Sequence, residues 1–310
     1  MTLFQAILLG IVQGLTEFIP VSSTAHLVFA ARAIGLYAGV EKTLQAEQTT
    51  ATIAVIQLGT LLAVLIYFAR DILNITRAFV RDHLALLRGN SNRALPDGWA
   101  SVGGSPGTER ATASLSHDAW LGWLIIIGSI PVGVIGLLFK KQIEGTFTKN
   151  LWVIATMMIV VAVLLGIAEL VGKRNRSMAE LGIRDALAVG FAQVLALIPG
   201  SSRSGSTIMG GLFVGEIRET AARFSFLLSI PAIAASGLLE LKEAVTKLPH
   251  ESYGALAVAT IVSGIAGYAS IWFLLRFLRS HSTRIFIAYR LIVGSFILLA
   301  LYWGFLSAQI

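Results

Sequence analysis

Two widely separated runs hold the side chains best suited to chemistry in this chain. The first is Gln13-Gly14-Leu15-Thr16-Glu17, followed by Pro20-Val21-Ser22-Ser23-Thr24 and His26. The second is Gln193, then Pro199-Gly200-Ser201-Ser202-Arg203 and Ser204-Gly205-Ser206-Thr207. Gln13 and Glu17 are four residues apart, so they share one face of a helix. A carboxylate within an apolar segment is costly unless it is paired, hydrated or bound to a cation. Glu17 therefore reads as a general acid or base, a cation ligand, or both, rather than as a helix-end cap. After Pro20, Ser22 or Ser23 is suited to cap a second helix, whose free N–H groups and dipole make an anion site. His26 lies about one turn beyond Ser23, placed to take a hydroxyl proton or give one to a leaving group.

The second run supplies the complement. Gly200, Ser201, Ser202, Ser204 and Gly205 are small enough to let backbone N–H groups approach phosphate oxygens, and Arg203 adds a planar fork of donors. Thr207, one turn on, shares the face of Arg203. The spacing of Gly200, Gly205 and Ser206-Thr207 superficially matches a P-loop, but the required Lys is missing and no strand precedes it, which excludes an NTPase. A carboxylate, a His, hydroxyls, an Arg and two helix N-termini together suit binding a phosphate or diphosphate and breaking a P–O bond.

The composition sets where this chemistry happens. At 310 residues, 55% hydrophobic and 13% charged, with mean hydropathy +0.78, the chain is a polytopic membrane protein. Cysteine is absent, which excludes disulfides, thiolate metal sites and a Cys nucleophile. The net charge of +7 comes from short basic loops between apolar runs, a topology signal rather than a nucleic-acid surface, so no nucleic-acid partner is expected. Met1–Leu15 lacks a basic leader and a small-residue cleavage signal and reads as mature protein.

Six stretches reach the length of about 20 residues needed to cross a bilayer. They are Thr50–Ala69, Trp120–Phe139, Leu151–Val171, Ala221–Leu241, Tyr253–Leu278 and Ile285–Phe305. Four shorter apolar pieces remain: Thr2–Ile19, Ser22–Gly35, Arg184–Ile198 and Gly205–Gly215. They pair about the two Pro-x-Ser-Ser turns, and each pair reads as a re-entrant hairpin that enters and leaves by one face. Pro, Gly, Ser, Glu and Arg belong at such depth only where broken helices line a protein-enclosed cavity. The expected fold is all-α: a single membrane domain, 1–310, of six transmembrane helices plus two re-entrant hairpins. With three spans after each hairpin, the second hairpin must enter from the opposite face, giving an inverted-topology repeat of halves 1–171 and 184–310. Fifteen Lys and Arg residues fall in the loops Arg70–Ala119, Gly172–Arg184, Glu216–Arg223 and Arg276–Arg284, against six on the other side, which places the first group in the cytoplasm. Gly89–Thr108, rich in Gly, Ser, Asn and Pro, reads as a mobile cytoplasmic loop.

The run from Gln13 to His26 closely resembles the first signature of the bacterial undecaprenyl-diphosphate phosphatase (bacitracin-resistance) family, and Pro199 to Thr207 resembles its second. Ile56-Gln57-Leu58-Gly59-Thr60-Leu61 and Phe224-Ser225-Phe226-Leu227-Leu228 also look like family segments. The resemblance extends over the whole chain. It implies an inner-membrane enzyme that hydrolyses undecaprenyl diphosphate to undecaprenyl phosphate, recycling the lipid carrier of cell-wall synthesis and conferring bacitracin resistance. The site is then expected to open to the periplasmic or outer face. The family's Ser and His positions fall on Ser23 and His26, and its phosphate-binding Arg on Arg203. Many members carry Glu where this chain has Gln13, so the second carboxylate is missing here. The resemblance also implies a divalent cation, Mg²⁺ or Ca²⁺, for which Glu17 is the ligand on offer and the diphosphate itself the main holder.

The expected catalytic residues are thus Glu17, Ser23, His26 and Arg203, with Ser23 or a water as nucleophile and His26 as acid or base. The expected substrate contacts are Gln13, Ser22, Thr24, Gly200, Ser201, Ser202, Ser204, Gly205 and Thr207. The expected partners are a polyprenyl diphosphate lipid and the bilayer, and a homo-oligomer is compatible with the sequence. The rival is an inverted-repeat secondary transporter or lipid flippase, which would need no Glu, His and Ser around an anion site and would release no phosphate. The signature motifs of the lipid-phosphate phosphatase superfamily are absent.

Overall fold

A computed structural model gives the structure of the chain and describes residues 1–88, 115–139, 142, 150–248 and 250–308. The described residues form eleven α-helices and no named strand. In order these are α1 (Leu3–Phe18), α2 (Ser23–Ala33), α3 (Lys42–Tyr67), α4 (Ala69–Leu87), α5 (His117–Leu138) and α6 (Leu151–Val171). They continue with α7 (Ile183–Val194), α8 (Arg203–Phe213), α9 (Arg218–Lys247), α10 (Tyr253–Leu278) and α11 (Arg284–Tyr302). Six are long and apolar enough to cross a membrane: Glu47–Tyr67 of α3, α5, α6, Arg218–Gly237 of α9, α10 and α11. These are the six stretches that hydropathy selects.

Their outward faces are apolar at helical spacing. Ile126, Ile130, Val134 and Leu137 stand exposed along α5, and Val160, Val163, Ile167 and Leu170 along α6. A soluble chain would not leave such stripes uncovered, whereas lipid solvates them. The interior holds the polar groups instead: Gln13, Glu17, Gln193, Ser201, Thr207 and Arg290 are all buried.

The chain divides into two compact units, 1–68 with 125–310, and 69–124. The smaller unit corrects one expectation, because Arg70–Ala119 contains the 19-residue helix α4 where a loop is expected. Ile75 and Ala78 are its buried face, and a Cβ on Gly122 of α5 would meet Phe79 at 2.9 Å. Ser116 donates to Asp82 Oδ2 through its backbone N–H at 2.9 Å and its hydroxyl at 2.5 Å. Arginines and aspartates interleaved with that face hold the helix below a spanning hydropathy, which hides it from a search for spans. The Gly89–Thr108 loop lies outside the described residues.

In the larger unit, small residues let helices touch. A Cβ on Gly14 of α1 would lie 2.6 Å from the Ser263 carbonyl of α10, and one on Gly59 of α3 only 2.0 Å from that of Thr260. The two ends of the α1/α2 pair meet where Gln5 Nε2 donates to the Ile34 carbonyl at 3.0 Å. The ends of the α7/α8 pair meet through Arg176. Its NH1 bonds Asp185 Oδ1 at 2.5 Å, and its backbone carbonyl accepts from Ile217 N–H at 3.0 Å, next to Glu216.

Glu216 is fully buried and neither carboxyl oxygen has a hydrogen-bond partner among the described residues. Burial first, then the charge of Asp185, push its carboxyl up to about 8, with Arg176 acting in the opposite sense. The folded chain therefore keeps a proton that the unfolded chain releases near 4.5. Stability should fall by about 1.4 kcal/mol per pH unit between those values and level off above. Unfolding midpoints in detergent across this range check the slope, and Glu216→Gln should remove it. An equal slope in that variant would show that Glu216 is not its source.

Candidate active site

Both Pro-x-Ser-Ser turns are built alike. α1 stops at Phe18 because Ile19 is extended ahead of Pro20 (φ −68°, ψ 134°), as a residue before Pro prefers. Likewise Ile198 is extended (φ −96°, ψ 120°) ahead of Pro199. Each following helix then opens on a serine in the left-handed region, Ser22 at φ 78° and Ser202 at φ 66°. Such backbone is costly for a residue with a Cβ and persists only where its surroundings over-determine it.

Arg290 of α11 supplies those surroundings. Fully buried, it donates to the Pro20 carbonyl of the first turn at 3.4 Å and to Gly200 and Ser201 of the second at 3.0 Å each. Bonds to the carbonyls of Met157 (3.3 Å) and Met158 (3.1 Å) fix it to α6. All its acceptors here are carbonyls, so one cation ties both turns to α6. The sequence reading missed Arg290, although an arginine in mid-span is itself a signal.

Gly200 has φ +93°, and a Cβ there would stand 2.1 Å from the Ile154 carbonyl. Gly200→Ala should cost about 1–3 kcal/mol and displace the second turn. Gly39 also has φ +93° but open space around it, so Gly39→Ala is the control for backbone strain alone. Equal unfolding midpoints for the two variants would refute the close packing at Gly200.

Between the turns, one carboxylate gathers both motifs. Glu17 Oε1 pairs with the Arg203 guanidinium. Its Oε2 accepts from the Ser23 hydroxyl at 2.8 Å and from Gln13 Nε2 at 3.1 Å. Ser204 Oγ lies 3.4 Å from the Glu17 carbonyl, and Gln13 Nε2 3.5 Å from Thr60 Oγ1. Glu17 is 8% exposed and the Arg203 side chain 19%, so this cluster is reachable but largely shielded. Within such shielding, charges act more strongly than in water.

The other expected residues divide. Ser202 caps α8, its Oγ accepting from Gly205 N–H at 3.2 Å and lying 3.2 Å from Ser204 Oγ. Ser22 holds the N-cap position of α2 but makes no side-chain cap bond. Thr207 faces inward, donating to the Arg203 carbonyl at 2.7 Å and pairing with the Ser225 hydroxyl, so it buttresses the start of α8. Thr24 is exposed and makes no side-chain hydrogen bond among the described residues. His26 makes no hydrogen bond to Ser23 among the described residues. Its Nδ1 must donate to the Ser22 carbonyl (2.7 Å), which leaves Nε2 to accept from Tyr289 Oη at 2.6 Å in the neutral ring. Tyr289 was not foreseen, because only the fold brings α11 against α2.

Several buried polar atoms beside the motifs have no hydrogen-bond partner among the described residues: Gln13 Oε1, Ser22 Oγ, Ser201 Oγ, Ser206 Oγ and both amide atoms of Gln193. Buried polar groups are rarely left unsatisfied, so these are places for a ligand or water. Arranged this way, the site offers an anion a guanidinium, and offers a hydroxyl a base.

Comparison with known proteins gives a consistent result. The family model described as bacitracin resistance protein BacA matches residues 6–296. An undecaprenyl-diphosphatase of Syntrophobacter fumaroxidans is 48% identical over 298 residues, covering 96% of this chain and 97% of the relative. One from Chlorobium luteolum is 47% identical over 314 residues, 98% of this chain and 99% of the relative. A third, from Mycolicibacterium gilvum, is 43% identical over 311 residues, covering 99% and 100%.

Proposed function

The chain belongs to the bacitracin resistance protein BacA family, and from that premise we propose that it is an integral membrane phosphatase. Its reaction is hydrolysis of undecaprenyl diphosphate to undecaprenyl phosphate and phosphate, which recycles the lipid carrier of cell-wall synthesis and gives bacitracin resistance. The observation that carries this reading is the convergence of Ser23 and Arg203, one from each turn, on the Glu17 carboxylate.

In this account Arg203, with only one N–H group committed to Glu17, turns its remaining donors to the terminal phosphate. The N–H groups that open α8 and the small residues from Gly200 to Gly205 complete the cradle. Glu17 accepts the Ser23 proton as the hydroxyl oxygen attacks the terminal phosphorus. The bond from that phosphorus to the bridging oxygen breaks, undecaprenyl phosphate leaves, and water then hydrolyses the phosphoserine. The 2.8 Å bond from Ser23 to Glu17 favours Ser23 over a direct water attack. His26 exchanges protons through the Tyr289 hydroxyl rather than with Ser23 directly. A divalent cation, Mg²⁺ or Ca²⁺, fits the hard oxygens of Glu17 and the unpartnered, buried Gln13 Oε1. Among the described residues no cluster of three or more His, Asp or Glu competes for it, so diphosphate oxygens would supply most of its ligands. When bound, the cation neutralises charge on the diphosphate. Acid quenching of a single turnover tests the nucleophile: phosphate covalently held at Ser23 is expected, and a direct water attack would leave none.

For the membrane arrangement we propose that the α1/α2 and α7/α8 pairs are re-entrant hairpins of an inverted repeat. The contact of Gln5 with Ile34, and the meeting of Arg176, Asp185 and Glu216, support entry and exit of each pair at one level. The first pair's ends lie beside Ser252, at the start of α10, where the Met1 amino group donates to Ser252 Oγ at 3.4 Å. The second pair's lie near its other end, where Arg279 bonds Glu219. In the bacterial inner membrane the basic loops would face the cytoplasm and the site would open outward. Single cysteines at Asn92 and Thr146, both outside the described residues, should label from opposite sides of intact cells, Thr146 from outside. Labelling of both from one side would break the inverted repeat.

A further inference from the structure

Beyond the C-terminal end of α6, four cations line a single cavity of about 500 Å³: Lys173, Arg174, Arg218 and Arg279. Among the described residues two carboxylates answer them. Glu169 pairs with both Arg174 and Arg218, and Glu219 pairs with Arg279. Two positive charges are left over. Donors are left over as well: Arg174 commits only NH1, while Arg218 and Arg279 commit Nε and NH2. Lys173 has no hydrogen bond or ion pair among the described residues. Arg174 sits at φ 52°, an uncommon conformation for a residue with a Cβ, and its bonds to Glu169 hold it there. Leu278 supplies an apolar wall, and Leu170 and Val171, which shortly precede Lys173 in the chain at the end of α6, are 74% and 62% exposed.

This cavity is separate from the Arg203 cluster. Met158, whose carbonyl holds Arg290, precedes Val171 by thirteen residues of α6, about 20 Å along the helix. We infer that it is a second anion site, one that takes a phosphate-bearing group of one to two negative charges. An anionic phospholipid headgroup and free inorganic phosphate share that chemistry. The exposed Leu170 and Val171 would let acyl chains run beside a seated headgroup.

The full chain in detergent tests this with two probes, phosphatidylglycerol against phosphatidylcholine by native mass spectrometry, and inorganic phosphate by equilibrium binding. The comparison is with Lys173→Ala/Arg279→Ala, which should keep phosphate release from the prenyl diphosphate and so report on the cavity alone. A preference for phosphatidylglycerol is expected, falling about 30-fold in the variant, the scale of two basic side chains near an anionic lipid. Displacement of the lipid by millimolar phosphate would identify a free anion as the ligand, and retention would identify the headgroup. If the double variant unfolds, Lys173→Gln carries the same comparison, since that side chain has no partner to lose. Equal retention of both lipids, with phosphate binding unchanged by the substitutions, would overturn the site.

Discussion

Glu17→Gln should slow phosphate release at least about 100-fold, the scale of losing general acid/base catalysis. The side chain keeps its size but loses its charge and basicity. One carboxylate now receives Arg203 on Oε1 and both Ser23 and Gln13 on Oε2. An amide must turn an NH₂ toward one of those donors, so it can neither accept the Ser23 proton nor satisfy all three. Substrate binding should persist, because Arg203 loses its competing anion and the N–H groups of α8 are untouched. Single-turnover release and binding on the same purified protein separate the two effects. Unchanged hydrolysis would exclude Glu17 from the chemistry.

Arg203→Lys should be as damaging although the charge is retained. Lysine is a point charge on a flexible stem, and it cannot span Glu17 and a phosphate with one planar fork. Loss of a positioned donor to developing charge costs about 10²–10³ in rate. Unlike Glu17→Gln, this variant should also bind the diphosphate more weakly. The two variants thus differ in binding while sharing a catalytic defect. A well-folded Arg203→Lys protein with near-normal turnover would remove Arg203 from the phosphate site.

Hydropathy alone located the six apolar helices, since each is a long run whose outward face must be apolar. The helices flanking the two turns were also legible, because Pro20 and Pro199 stop one helix and Ser-Ser starts the next. α4 was not, as its buried face is narrow and its arginines mask it. Within the site, residues near one another in sequence were readable, while partners from distant helices were not. Arg290, Tyr289, Thr60 and Ser225 reach the motifs only through the packing of α11, α3 and α9, which no spacing within a motif encodes. His26 shows the cost of reading spacing alone. It sits one turn from Ser23 as expected, yet its ring is committed to Ser22 and Tyr289.

The central claim is that this chain breaks the diphosphate of a membrane lipid. Its most direct test is phosphate release from undecaprenyl diphosphate by the purified, unmodified protein, with and without EDTA. One phosphate and one undecaprenyl phosphate per substrate are expected, with turnover lost in EDTA and restored by Mg²⁺ or Ca²⁺. No release across several divalent cations and prenyl lengths would contradict the account and leave a transporter as the better reading of the same scaffold.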